Sequence, residues 1–98
     1  MSFIQIIEMR TKNYDELQKL GDEFFAATEG KRTVKRSFVT RDHNDPDRYL
    51  IIVFFDSYES AMENSNRPET SEFAAQMAKL CDGPPRFYNL DVKQTWET

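Results

Sequence analysis

The stretch "RDHNDPDRYLIIVFFDSYESAMENS", Arg41 to Ser65, decides the architecture. It holds the only histidine of the chain, a cluster of turn formers around Pro46, an unbroken apolar run and then a change of period. A run of eight residues rich in β-branched and aromatic side chains, "RYLIIVFF", reads as a strand from Arg48 to Phe55. Asp56 or Ser57 then caps a helix that follows directly. Upstream, "VKRSFVTR" (Val34 to Arg41) reads as a second strand, and "DHNDPD" between the two makes the pair a hairpin.

Working outward, "FIQIIEMR" (Phe3 to Arg10) is a further strand, ended by the polar "TKNYDE". Asn13 with Glu16 three positions later predicts a capped helix from Tyr14 to Thr28, its apolar stripe formed by Leu17, Leu20, Phe24 and Ala27 and its stop near Gly30. After Ser57 the helical region is predicted to split at "NSNR", with Pro68 opening a new segment in which Phe73, Met77 and Leu80 share a face. "DGPP" (Asp82 to Pro85) ends it, and "RFYNLDVKQTW" (Arg86 to Trp96) is the last strand. The order β, α, β, β, α, β with right-handed crossovers gives an α+β, ferredoxin-like domain: a four-stranded antiparallel sheet with two helical regions on one face, as a single domain over residues 1–98.

Strand alternation divides the sheet residues into two sets. Ile4, Ile6, Leu50, Ile52, Phe54, Tyr88, Leu90 and Val92 are assigned to the face beneath the helices. Phe3, Gln5, Ile7, Met9, Arg36, Phe38, Thr40, Tyr49, Ile51, Val53, Phe55, Phe87, Asn89 and Asp91 are assigned to the uncovered face. That second set is still largely apolar, and each full burial of such a side chain contributes roughly 1.5–3 kcal/mol, so a partner is expected over it. The simplest is a second copy, a homodimer. A chain of this size buries only about 60–65% of its unfolded surface, which makes help from a partner useful.

The totals exclude several classes. Thirteen basic against 17 acidic side chains give a formal charge of −4, whose field repels phosphate backbones and anionic lipid, so no nucleic acid and no membrane partner is expected. Eight Phe, four Tyr and one Trp suit a packed domain rather than a disordered chain. Cys81 stands alone, so no internal disulfide or thiolate metal site forms. The apolar run Tyr49 to Phe55 is too short to span a bilayer, and "MSFIQIIEMR" lacks the marks of a signal peptide, which leads to a cytoplasmic reading.

In this frame the element order and "DRYLIIVFFDSYESA" resemble the dimeric α+β barrel superfamily, in particular its antibiotic-biosynthesis-monooxygenase-like group. The resemblance rests on Arg48 and Tyr49 opening the third strand, Phe55 closing it, and Ser57 with Ala61 starting the helix. It covers essentially the whole chain through short motifs. Members include cofactor-independent oxygenases of polycyclic phenols, haem-degrading enzymes and small isomerases. The haem-degrading branch uses an amide on strand one with a Trp and an iron-ligating His on the second helix. Gln5 matches the amide, but Tyr58 to Leu80 contains neither Trp nor His, so the resemblance implies no haem and no other cofactor.

Two facing sheets of such a dimer that keep polar residues among apolar ones enclose a mixed cavity at the sheet-sheet interface, the setting of small-molecule sites; the same polar residues equally make a wet dimer interface. Gln5, Arg36, Phe38, Phe55, Asn89 and Asp91 are the candidate ligand-binding residues, with Arg36 and Asp91 also read as an interstrand pair. Tyr49 is the first candidate for chemistry, because a phenol in an apolar wall needs a partner and offers one to a substrate oxygen. His43 is the second, as a proton carrier on a loop over a cavity mouth; its other reading is a solvated turn residue. No metal-ligand spacing surrounds it. The expected function is thus the handling of a small aromatic or largely apolar molecule, by cofactor-independent monooxygenation or by non-catalytic binding.

Overall fold

The computed structural model describes residues 2–98. Its elements run β1 (Phe3–Arg10), α1 (Tyr14–Ala27), β2 (Val34–Asp42), β3 (Asp45–Phe55), α2 (Tyr58–Ser65), α3 (Pro68–Leu80) and β4 (Arg86–Asp91). The four strands form one antiparallel sheet in the order β2-β3-β1-β4, the ferredoxin-like arrangement expected from the element order.

Local chemistry explains the boundaries. Ser57 accepts from the Ser60 backbone N–H at 3.1 Å and the Ser60 hydroxyl accepts from the Ser57 N–H at 3.1 Å, closing a capping box at the start of α2. Pro68 occupies the first turn of α3, where its missing N–H costs nothing. Gly83, with φ of 94°, takes the left-handed turn after α3 that other residues avoid. The cap of α1 differs from expectation: Asn13 makes no side-chain capping bond. Its N–H instead donates to the Thr11 hydroxyl at 2.9 Å, and that hydroxyl donates to the Leu80 carbonyl at 2.6 Å. Thr11 is buried because it ties the end of β1 to the end of α3.

The hairpin is tighter than the turn-former cluster suggests. Asp42 pairs with Asp45, leaving only His43 and Asn44 as the turn, and the Asn44 N–H donates to the Asp42 carboxylate at 2.8 Å. The register then shifts between Arg41 and Asp42, so Pro46 sits in an irregular stretch of β3, where a residue without an N–H is tolerated. At the other end the last strand stops at Asp91, and residues 92–98 run on without regular structure.

The assignment of faces is reversed. The core consists of Phe3, Met9, Leu17, Tyr49, Ile51, Val53, Phe55, Ala61 and Met77, so Phe3, Met9, Tyr49, Ile51, Val53 and Phe55 lie beneath the helices. Ile4, Ile6, Leu50, Ile52 and Phe54 lie on the uncovered face, only half-buried, with Tyr88 and Leu90 exposed beside them. Alternation sorts residues into two sets but carries no sign, and with both sets apolar nothing in composition says which one the crossovers cover. A bulge between Val34 and Arg36 leaves part of β2 out of this reversal: Arg36 pairs with Phe54, Phe38 with Ile52 and Thr40 with Leu50, so these three lie on the uncovered face as assigned, apart from the β1 and β3 residues grouped with them. The uncovered face, with other members than expected, is still largely apolar.

Candidate functional site

The helices cover the sheet unevenly, and the gap makes a cavity. α1 packs on α3, where Phe24 and Phe73 stack with ring centroids 4.5 Å apart, and on β3, where Tyr14 stacks on Tyr49. On the edge strand β2, Val39 stays 53% exposed. Between α1 and the helix-side faces of β1, β3 and β2, rather than on the sheet-sheet side where the sequence placed it, lies a cavity of about 530 Å³, within the size range of small-molecule sites.

Its floor is Gln5, Ile7, Ile51, Val53 and Phe55; its roof is Tyr14, Leu17, Gly21 and Phe24 from α1; its far wall is Asn64 from α2 with Thr70 and Phe73 from α3. Gly21 is the roof residue with no side chain, and a Cβ there would meet nothing within 4 Å. Phe25, Asp22 and Arg32 stand at the mouth beside Val34 and Lys35. Arg32 is held by a bond from its guanidinium to the Phe25 carbonyl at 2.6 Å and lies over the Phe25 ring at 3.7 Å.

Polar groups inside are few. The Gln5 amide donates to Asn89 at 3.1 Å, retaining its carbonyl. Asn64 is buried, lines the cavity, and has no side-chain hydrogen bond among the described residues. The Thr70 hydroxyl is buried without a partner. An amide both donates and accepts, so Asn64 can bond an oxygen of a molecule held in the cavity. Neither Asn64 nor Thr70 was among the candidates read from sequence. The signal was present: Asn64 follows buried Ala61 by three positions, on the inward stripe of α2.

The sequence candidates disperse. Gln5 and Phe55 line the cavity, and Arg36 borders it while sharing the register of the uncovered face. Asn89 joins it only through Gln5. Phe38 stands on the uncovered face, edge-on to Phe54 at 6.0 Å. Arg36 and Asp91 lie on strands at opposite edges of the sheet and do not form the expected pair. Tyr49 is in the core, next to the cavity wall rather than in it, and its hydroxyl bonds neither Gln5 nor Asn89. His43 is exposed in its two-residue turn, and among the described residues no group of His, Cys, Asp and Glu is placed to hold a metal ion. The cavity and these two residues are separate features of the molecule.

The polar end of the uncovered face carries a cluster of ion pairs. Arg48 bonds Glu8 at 2.8 Å and Asp42 at 2.9 Å, Tyr88 donates to Glu8 at 2.8 Å, and Arg10 grips Asp45 at 2.7 and 3.0 Å. The bond from Tyr88, then that from Arg48, hold the Glu8 carboxyl below its usual range. Burial, followed by Asp82, pushes the Cys81 thiol up, so it is a poor nucleophile. Among the described residues no helix is long and apolar enough to cross a membrane.

No family model matches the sequence, and no curated protein matches it. Solved structures do match. A conserved protein from Methanosarcina mazei Go1 superposes with a TM-score of 0.84 at 10% identity, covering 95% of this chain and 94% of that one. An asparagine-to-alanine variant of SnoaB, a cofactor-independent oxygenase from Streptomyces nogalater, gives 0.81 at 12% identity over 96% and 95%. The fold is that of the antibiotic-biosynthesis-monooxygenase-like group. A structure described as an antibiotic biosynthesis monooxygenase gives 0.75 at 12% identity over 94% and 99%. At such identities the monooxygenase-like label is a statement about the fold, as the sequence resemblance implied.

Proposed function

We propose that this chain acts as a homodimer on a small aromatic or largely apolar molecule held between α1 and the sheet, as a cofactor-independent monooxygenase. The observation that carries the reading is the cavity: about 530 Å³, walled by Tyr14, Phe24 and Phe73, with the free amide of Asn64 as its polar feature. Aromatic walls suit a planar ring, and an amide that both donates and accepts suits a phenol or ketone oxygen on it. In such a reaction an electron-rich substrate itself supplies the electrons that reduce dioxygen, and the protein holds the ring, bonds its oxygen and excludes water. The structural neighbours named as oxygenases support this choice of reaction.

The homodimer reading rests on the uncovered face. Ile4, Ile6, Phe38, Leu50, Ile52, Phe54 and Leu90 form one apolar surface bordered by the paired charges around Arg48. An apolar surface of this extent marks an interaction site, and a two-fold axis lets it cover itself.

A second reading, non-catalytic binding, is favoured by one observation: among the described residues the lining includes no imidazole, and its one carboxylate, Asp22, is exposed. Gly21→Leu tests both readings, because it fills the cavity from a position with open space above it. Wild-type protein titrated with naphthols and hydroxyanthracenes should bind saturably and consume oxygen without added metal or flavin. Gly21→Leu should lose both with its melting temperature maintained. Saturable binding without oxygen uptake would leave the carrier reading standing, and undiminished binding by Gly21→Leu would remove the cavity from the argument.

A further inference from the structure

The chain beyond β4 is an arm without a seat. Val92 donates its N–H to the Ser2 carbonyl at 3.1 Å; beyond it, among the described residues, no side chain from Lys93 to Thr98 makes a hydrogen bond or ion pair. Trp96, the only tryptophan, is 80% exposed. A second large ring, Phe25, is 62% exposed at the cavity mouth, where Arg32 covers one of its faces and leaves the other free.

The sheet places these two in register. Asp91 pairs with Phe3, Phe3 with Phe55 and Phe55 with Val34, so the arm leaves β4 at the same end of the sheet where β2 begins beside the cavity mouth. β4 and β2 are the two edges. When two copies meet by their uncovered faces about an axis parallel to the strands, β4 of one copy lies over β2 of the other. The arm of each then emerges at the Val34 end of its neighbour. Sheets stack about 10 Å apart, and the five residues from Asp91 to Trp96 extend about 16 Å, enough to cross the gap and round the edge of β2.

We infer that Trp96 of one copy packs on Phe25 of the second copy and closes the mouth of that copy's cavity. The inference rests on the homodimer reading above and goes beyond it, since it makes each site a product of two chains. The occupant is a second copy because the geometry that covers the apolar face also delivers the arm. Arg32 adds a cation beside the incoming indole, a favourable setting for the most electron-rich side-chain ring.

Trp96 is its own reporter. In protein shown to be dimeric by sedimentation, its fluorescence should be blue-shifted and its quenching by acrylamide several-fold weaker than in Phe25→Ala. Mixing Phe25→Ala with Trp96→Phe after partial denaturation gives mixed dimers whose tryptophan meets an intact Phe25 on the other chain. Those dimers should regain the blue-shifted emission. A dimer with fully solvated Trp96 would overturn the arm contact while leaving the dimer in place. A blue shift that Phe25→Ala abolishes but mixing does not restore would show that the contact lies within one copy, and would overturn the inference too. A monomer at all concentrations would overturn the dimer reading and the arm contact together.

Discussion

The rings of Tyr14 and Tyr49 lie parallel, 3° from coplanar orientation with centroids 4.9 Å apart, one from the first turn of α1 and one from the middle of the sheet. The pair fixes the height of α1 above β3 and thereby one wall of the cavity. Tyr49→Ala should therefore cost about 3–5 kcal/mol, the range for losing a buried ring. Tyr49→Phe keeps the ring and should lie within about 0.5 kcal/mol of wild type, with binding of aromatic probes unchanged. Urea unfolding and a probe titration check both, and lost binding in the Phe variant would return the hydroxyl to the site.

His43→Ala should be silent. The turn is held by the Asn44 N–H on the Asp42 carboxylate, a bond the imidazole takes no part in, so a stability change beyond about 0.5 kcal/mol or any change in probe affinity would contradict the structure.

Neighbouring isoleucines on β3 should behave oppositely. Ile51 is buried in the core and Ile52 is half-buried on the open face. Ile51→Asp puts an unpaired carboxylate in the core and should prevent folding. Ile52→Asp should leave a folded chain and dissociate the dimer. Circular dichroism with light scattering separates these outcomes, and the converse pattern would reverse the two faces again.

The ion pairs around Arg48 and Arg10 predict acid sensitivity. Glu8 is lowered by Tyr88 and then Arg48, Asp42 by the Asn44 N–H and then Arg48, and Asp45 by Arg10. A carboxylate with a lowered folded value contributes stability that is complete above its unfolded value and is lost as pH falls through the lowered one. Urea midpoints should thus drop on acidification below the ordinary carboxylate range, and Arg48→Met should flatten that drop. Tyr88, raised by its bond to Glu8, adds a loss at the alkaline end as pH rises through its raised value.

The fold was legible because its signals are local. Pro68, the capping serines and the glycine of "DGPP" each act within a few residues of themselves, so reading them needs no knowledge of what packs above. The faces were not legible, because Ile6 and Ile7 are the same side chain and only the helices decide which of them is covered. The cavity suffered from this directly: Gln5 and Phe55 were chosen for one face and line a site on the other, while Tyr49, the first candidate for chemistry, belongs to the core. Arg36 kept its assigned face only because a one-residue bulge, which no propensity announces, parts it from the β3 residues it was grouped with. Gly21 and Asn64 carried a readable signal, an interruption in an otherwise apolar helical stripe. Such a gap marks unfilled space as readily as weak helix propensity.

Among the described residues β4 pairs with β1 alone, and all six of its residues are exposed. Its pairing also joins residues far apart in the chain, Phe3 with Asp91. Closure over such a separation carries an entropic cost that local hairpins do not, which makes β4 the last strand to dock during refolding and the first to detach. In native-state hydrogen exchange its amides should open without global unfolding, while those of β1 facing β3 exchange only with it. Slower exchange of the β4 amides at higher protein concentration would show association locking in the strand that a single chain holds most loosely.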